Sequence, residues 1–139
     1  MPSKTRITKF INRNHNHAEL KSNGDVIHRK GATHAEKGML GVIPGNMRDG
    51  SFIVKGLGNP DSLSSSSHGA GRVLSRKKAK EQCSYEELEK LGETIINNHT
   101  KETIDEVPSA YKSIFEVMDN QKDLVEIVAH VKPILNIKG

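Results

Sequence analysis

The sequence predicts an α+β fold of mixed and antiparallel strands with short helices, for three reasons. Short runs rich in β-branched residues (26–30, 51–56 and around 125–131) alternate with turns made by Asn-Gly, Pro-Gly and Asp-Gly pairs. Helix signals cluster between them, at 73–92 and again near 110–121. The two kinds of element follow no regular βα order and no internal repeat is present.

In chain order, residues 1–20 end in the polar cluster NRNHNHAEL, and KSNGD follows as a tight turn with Asn23-Gly24 as a hairpin signal. The turn leads into a short strand, VIHRK. Next, Met39 to Ile43 forms a brief apolar run ahead of turns at Pro44-Gly45 and Asp49-Gly50. SFIVKG is the strongest early strand, because Phe52, Ile53 and Val54 favour extended backbone. Residues 56–72 are dominated by Ser and Gly and read as a loop. A helix is expected over 73–82. Ser84-Tyr-Glu-Glu87 matches a capping box, with Leu88 and Leu91 on the apolar side of a helix stopped at Gly92. A further helix is expected over 110–121, where Ala110, Ile114, Val117 and Met118 share a face. Alternation of Val125, Ile127, Ala129 and Val131 predicts closing strands.

Composition limits what such a chain can be. Its 139 residues suit one domain, yet only 34% are hydrophobic and 4% aromatic. Counting the 12 glycines raises the apolar share to about 43%, below the usual ~45–50%. The core is therefore small, or shared with something larger. No apolar run approaches the roughly 18 residues of a membrane span, and no membrane partner is expected. The charged start MPSKTRITKF does not read as a secretory signal, and a lone Cys83 suits a reducing compartment, so a cytoplasmic location is expected. Net charge is only +4, but residues 70–80 carry Arg72, Arg76, Lys77, Lys78 and Lys80 with no acid. Such a block is either an anion site or a solvated helix face.

Four polar, Gly-bearing segments could carry chemistry. In SSSSHGAGR (64–72), Gly69 and Gly71 let backbone N–H groups approach an anion, and Arg72 can bond a phosphate bidentately. His68 then lies beside a phosphate cradle, placed to attack phosphorus or to move a proton; the plainer reading is a surface loop. In NRNHNHAEL, His15 and His17 would share one strand face and could bind a metal or simply be solvated. HRKGAT (28–33) places two cations before a glycine, and PGNMRDGS (44–51) offers Asn46 and Ser51.

Taken in order, HRKGAT, GVIPGNM…S, HGAGRVLSR, VPSAYK and the closing NIKG resemble the C-terminal half of RtcB-type RNA ligases. The resemblance covers residues 11–139, leaving 1–10 as a lead. It implies an RtcB-like fold, here a partial domain. It also implies a GTP-dependent ligase that joins RNA 3′-phosphate or 2′,3′-cyclic phosphate ends to 5′-hydroxyl ends, with RNA halves or broken ends as partners. His68 matches the nucleophile that forms a covalent histidine–GMP. The guanylate contacts match Asn46, Ser51, Ala70, Gly71, Arg72, Tyr111 and Lys138, and Lys30 matches a triphosphate contact. His15 matches one manganese (Mn²⁺) ligand, and His17 stands where the family has a packing aromatic. Asn46 and Asn14 depart from the family's usual Ser and His. The family's remaining metal ligands lie in a preceding half with no counterpart in this sequence, so a complementing N-terminal half is expected as a partner and the chain alone is expected to be inactive. The alternative is a non-catalytic guanine-nucleotide- or RNA-binding module.

Overall fold

The computed structural model describes residues 6–14, 16–93, 95–97 and 101–137. It is an α+β arrangement of small sheets and short helices, as expected. Strands β1 (Asn16–Leu20) and β2 (Val26–Lys30) pair antiparallel around the predicted turn. Gly24 takes φ +89°, and the Asn23 side chain accepts from Asp25 N at 3.0 Å, so the Asn-Gly pair closes the hairpin for the reason the sequence suggests.

The short strands β3 (Ala32–His34) and β6 (Ser65–Ser67) pair antiparallel, with Thr33 opposite Ser66. A three-stranded antiparallel sheet has the order β4 (Leu40–Pro44), β5 (Ser51–Gly56), β8 (Val125–Val131). Two-residue strands β7 (Ile96–Asn97) and β9 (Leu135–Asn136) pair parallel. The helices are α1 (Arg76–Gln82), α2 (Tyr85–Gly92) and α3 (Ile114–Asp119).

Four local expectations need correction. The first helix begins at Arg76, because Ser75 caps it by accepting from Lys78 N; Val73 and Leu74 instead donate their backbone N–H groups to Ala110 O. The helix expected over 110–121 shrinks to α3, since Ser113 caps its start and 108–110 form a separate 3-10 turn. At α2, Ser84 does cap the helix, but the carboxylate of Glu87 turns away to Ser109 (2.6 and 2.9 Å) rather than back to the cap. The predicted alternation on β8 is interrupted by a bulge: Ile53 pairs with Ala129 but Val54 with Ile127, leaving Val128 as the extra residue. Ile127 consequently sides with Val54, while Ala129 and Val131 side with Ile53 and Ser51 on the opposite face.

The core is divided. One cluster packs Ile43, Phe52, Val54 and Val125 of the sheet against Ile114 and Met118 of α3. A second gathers Met47, Ala79, Leu88, Leu91, Val107 and Ala110 around α1 and α2.

Arg29 joins the hairpin to the loop before β6. Only 2% exposed, it donates to Glu19 Oε2 at 2.7 Å, Ser65 Oγ at 2.8 Å and the Leu63 carbonyl at 2.8 Å. Leu63 and Ser64 hold φ of 54° and 51°, a left-handed conformation unfavourable for side chains beyond glycine. Backbone bonds from Leu63 N to Pro60 O and from Ala35 N to Ser64 O share in fixing them.

Replacing Arg29 by Met removes the donor from Glu19 Oε2, Ser65 Oγ and the Leu63 carbonyl, while Lys21 stays on the other oxygen of Glu19. The expected loss is about 1–3 kcal/mol from the lost hydrogen bonds, read by chemical denaturation; no measurable change contradicts the assigned role. Lys21 and then Arg29 hold the Glu19 carboxyl down at about 2, against an ordinary 4.5. A depressed carboxylate contributes stability in full above its ordinary value and loses it as pH falls towards the folded value. Glu19→Gln should therefore flatten the acid limb of stability between pH 4.5 and about 2, measured by denaturation at stepped pH.

Candidate functional site

The β4–β5 connection, 45–50, is built by Asn46. Its side-chain oxygen accepts from Arg48 N (2.9 Å) and Asp49 N (2.8 Å), while its amide donates to Asp49 Oδ2 (2.8 Å). Gly45 N bonds Gly50 O at 2.8 Å and closes the loop. Arg48 lowers the Asp49 carboxyl below its ordinary range, so this loop carries an ion pair of its own. Asn46 thus shapes the loop with all three of these bonds.

Below the loop lies a pocket of about 160 Å³ whose wall includes Pro44, Asn46, Ser51, Tyr111, Glu106 and Asn136. Asn136 reaches it by donating to Met47 O at 3.0 Å. Tyr111 reaches it because residues 71–74 and 110–112 are laced together: Val73 N bonds Ala110 O at 2.9 Å, and Lys112 N bonds Gly71 O at 3.0 Å. The Arg72 guanidinium stands 4.9 Å from the centre of the Tyr111 ring and donates to its hydroxyl at 3.1 Å. Arg72 also bonds the carbonyls of Leu74 and Asp105. Burial first, and then Glu106, raise the Tyr111 phenol above its ordinary value.

His68 lines a different pocket, of about 290 Å³, with Arg13, Asn14, Thr33, Val42 and Pro44. It follows directly on β6, and its backbone N–H bonds Gly31 O at 3.5 Å. A Cβ on Gly31 would stand 3.7 Å from the imidazole, so the glycine of HRKGAT brings that loop alongside the histidine. Lys30 precedes it as an exposed residue at the end of β2. Pro44 is common to both pockets, and its carbonyl accepts from the N–H of the buried Ala70 at 2.9 Å. Gly71 takes φ +73°.

The structure therefore brings Asn46, Ser51 and Tyr111 to one pocket, ties Arg72 to its rim, and places His68 and Gly31 behind Pro44. His15 and Lys138 lie outside the described residues. Three details differ from the sequence-based expectation. Arg72 is committed to protein acceptors, and Arg76, read as part of a free basic block, pairs with Asp105 at 2.7 Å and Glu106 at 2.6 Å. The helix expected directly after Arg72 starts only at Arg76. Glu106, Asp105 and Asn136 were not singled out from the sequence, although Glu106 lies five residues before Tyr111 and Asn136 opens the NIKG segment.

His17 is half-buried on β1, its ring 6.4 Å from that of His34, and its Nδ1 has no hydrogen-bond partner among the described residues. Near it, Glu19, His34 and Glu36 bring three potential ligand atoms within 4.8 Å of one another. They fit a manganese ion poorly, because Lys21 bridges the two carboxylates at 2.7 and 3.3 Å and Arg29 holds the other oxygen of Glu19. No described helix is long and apolar enough to cross a membrane.

The sequence profile of the family described as "RtcB: tRNA-splicing ligase RtcB" matches residues 1–139. The chain belongs to the RtcB family. It is 45% identical over 132 residues to the RNA-splicing ligase RtcB of Escherichia coli K12, covering 93% of this chain and 32% of that protein. The tRNA-splicing ligase RtcB of Nanoarchaeum equitans is 38% identical over 135 residues (82% of this chain, 28% of that protein). The RNA-splicing ligase RtcB of Mycobacterium tuberculosis is 36% identical over 133 residues (81% and 31%). The chain thus spans about a third of the length of these RtcB relatives.

Gly50 is the tightest point of the pocket loop. It takes φ +81°, and a Cβ there would meet Val131 O at 2.1 Å. Gly50→Ala should cost at least about 1–3 kcal/mol from backbone strain alone, with β8 displaced from Ser51. Hydrogen exchange of the Ser51–Gly56 strand checks this; unchanged protection contradicts it.

Proposed function

We propose that this chain forms the guanylate-binding and nucleophile-bearing part of a GTP-dependent RNA ligase. The observation that carries the reading is the shared wall at Pro44: a small pocket with Ser51 and Tyr111 on one side, His68 on the other. A purine held in the first pocket would extend its phosphates towards the Gly69–Gly71 turn and His68. Family membership and the HGAGR and VPSAYK segments support the same assignment.

In this reading the imidazole of His68 attacks phosphorus of GTP. A nitrogen–phosphorus bond forms, the bond to the leaving pyrophosphate breaks, and GMP stays on the histidine. Guanylate then passes to an RNA 3′-phosphate, and a 5′-hydroxyl displaces GMP to join the strands. Ser51, Tyr111 and Lys138 hold the base, Asn46 shapes the loop beside it, Arg72 orients Tyr111, the turn at Ala70 and Gly71 leads the phosphates to His68, and Lys30 lies by the triphosphate. A divalent metal, Mn²⁺ in the proposed enzyme, would neutralise phosphate charge when bound. His15 is its one matched ligand here, so a complementing N-terminal half of the family's length is the proposed partner and the lone chain is expected to be catalytically silent. A cytoplasmic setting fits this reading. The ligand count also favours a second reading, a module that binds guanylate reversibly without ligating.

The test is incubation with radiolabelled GTP and Mn²⁺, with and without an N-terminal half from an RtcB relative. An acid-labile, protein-bound label that appears only with the added half, and disappears in His68→Ala, is expected. Retained labelling in His68→Ala overturns the nucleophile assignment, and reversible binding alone supports the second reading. In the complemented protein, His15→Ala should lower manganese stoichiometry while His17→Ala leaves it unchanged; equal losses would make the two histidines a chelating pair.

A further inference from the structure

The adjacent acids Asp105 and Glu106 sit where the Arg72 segment and Tyr111 meet, and neither is accounted for by the nucleotide reading. Asp105 is 4% exposed and pairs with Arg76 at 2.7 Å, and its backbone carbonyl accepts from Arg72. Glu106 divides its oxygens. Oε1 accepts from Arg76 at 2.6 Å and stands 3.5 Å from Arg72 Nη1, whereas Oε2 accepts the Tyr111 hydroxyl at 2.6 Å. The same hydroxyl accepts from Arg72 at 3.1 Å.

A phenol has one hydrogen and two lone pairs. Here the hydrogen is committed to Glu106 and one lone pair to Arg72. What remains for the pocket is a single acceptor. Beside it, Glu106 is the one acid in the pocket wall among the described residues. Two neighbouring acceptors, the phenol oxygen and the Glu106 carboxylate, suit the adjacent N–H donors of guanine at N1 and N2, whereas adenine sets its N6 donor beside an N1 that is itself an acceptor.

Resting on the guanylate reading above, we propose that Glu106 is the positioning residue that fixes the Tyr111 hydroxyl as an acceptor and thereby sets the preference for a guanine base. It acts through Tyr111 and Arg72. The raised phenol pKa fits this placement, since after burial the largest contribution comes from Glu106.

The experiment compares the full chain with Glu106→Gln, Tyr111→Phe and the double variant, using GMP and AMP as probes in equilibrium binding. The unaltered chain should prefer GMP. Glu106→Gln keeps the side chain's shape but removes its charge, and should weaken GMP about tenfold with AMP unchanged. Tyr111→Phe should weaken GMP similarly, and the double variant should be no worse than the poorer single. In a Tyr85→Phe background, where Tyr111 is the sole tyrosine, ultraviolet titration should show tyrosinate forming at lower pH once Glu106 is Gln.

GMP binding within twofold of the unaltered chain in either single variant overturns the inference and leaves the pocket assignment standing. So does an unmoved tyrosine titration. Absence of GMP binding by the unaltered chain removes the guanylate reading and this inference together. Should Glu106→Gln not fold, Tyr111→Phe decides the matter alone.

Discussion

The guanidinium of Arg29 has almost no contact with water, and a charge so placed is tolerable only when every direction it faces holds an acceptor. Its three acceptors come from three places: Glu19 on β1, Ser65 on β6 and the Leu63 carbonyl in the left-handed turn. By satisfying one arginine, the fold fixes the hairpin, the turn and the strand that leads to His68 in a single arrangement. Ser67, the last residue of that strand, is held again from the other side, its N–H donating to the buried Gln121 at 3.0 Å. The histidine's place in the structure therefore descends from interactions made several residues earlier.

Around the pocket, charge is balanced locally rather than displayed. Arg72 and Arg76 face Asp105 and Glu106, so two of the five cations in the 70–80 block are neutralised where they stand. Lys77, Lys78 and Lys80 remain exposed on α1. A positive surface therefore lies outside the pocket, while inside it the polar groups are oriented by one another. Preorganised groups of this kind need not be reordered when a ligand arrives, which lowers the entropic cost of binding.

Much of this was legible in the amino-acid order. Asn23-Gly24 demanded a left-handed turn and made one, and Phe52, Ile53 and Val54 formed a strand. The segments bearing His68 and Ser51 were also readable, because glycines and polar side chains between strands add little to a core and mark turns open to a ligand, whereas Tyr111 was reached only through the family resemblance of VPSAYK. Helix boundaries were less so: Val73 and Leu74 fit a helical pattern, but their N–H groups are taken by Ala110, which is 36 or more positions away. The bulge on β8 was invisible because alternation reports the faces of an unbroken strand. The place of Asp105 and Glu106 beside the pocket was hidden for a similar reason. Acids on a polar stretch look solvated until the fold brings arginines from about 30 positions upstream against them.

The divided core has a consequence for how the chain opens. With the sheet and α3 packed in one cluster and α1 with α2 in another, each can come apart as a separate cooperative unit with its own protection against solvent exchange. In the pocket wall, Pro44 and Ser51 adjoin Ile43 and Phe52 of the first, while Met47 belongs to the second and Tyr111 packs against it, so the pocket straddles the seam. Opening of either unit would dissolve it. Any compound lodged between Ser51 and Tyr111 would consequently slow exchange on both sides of the seam at once.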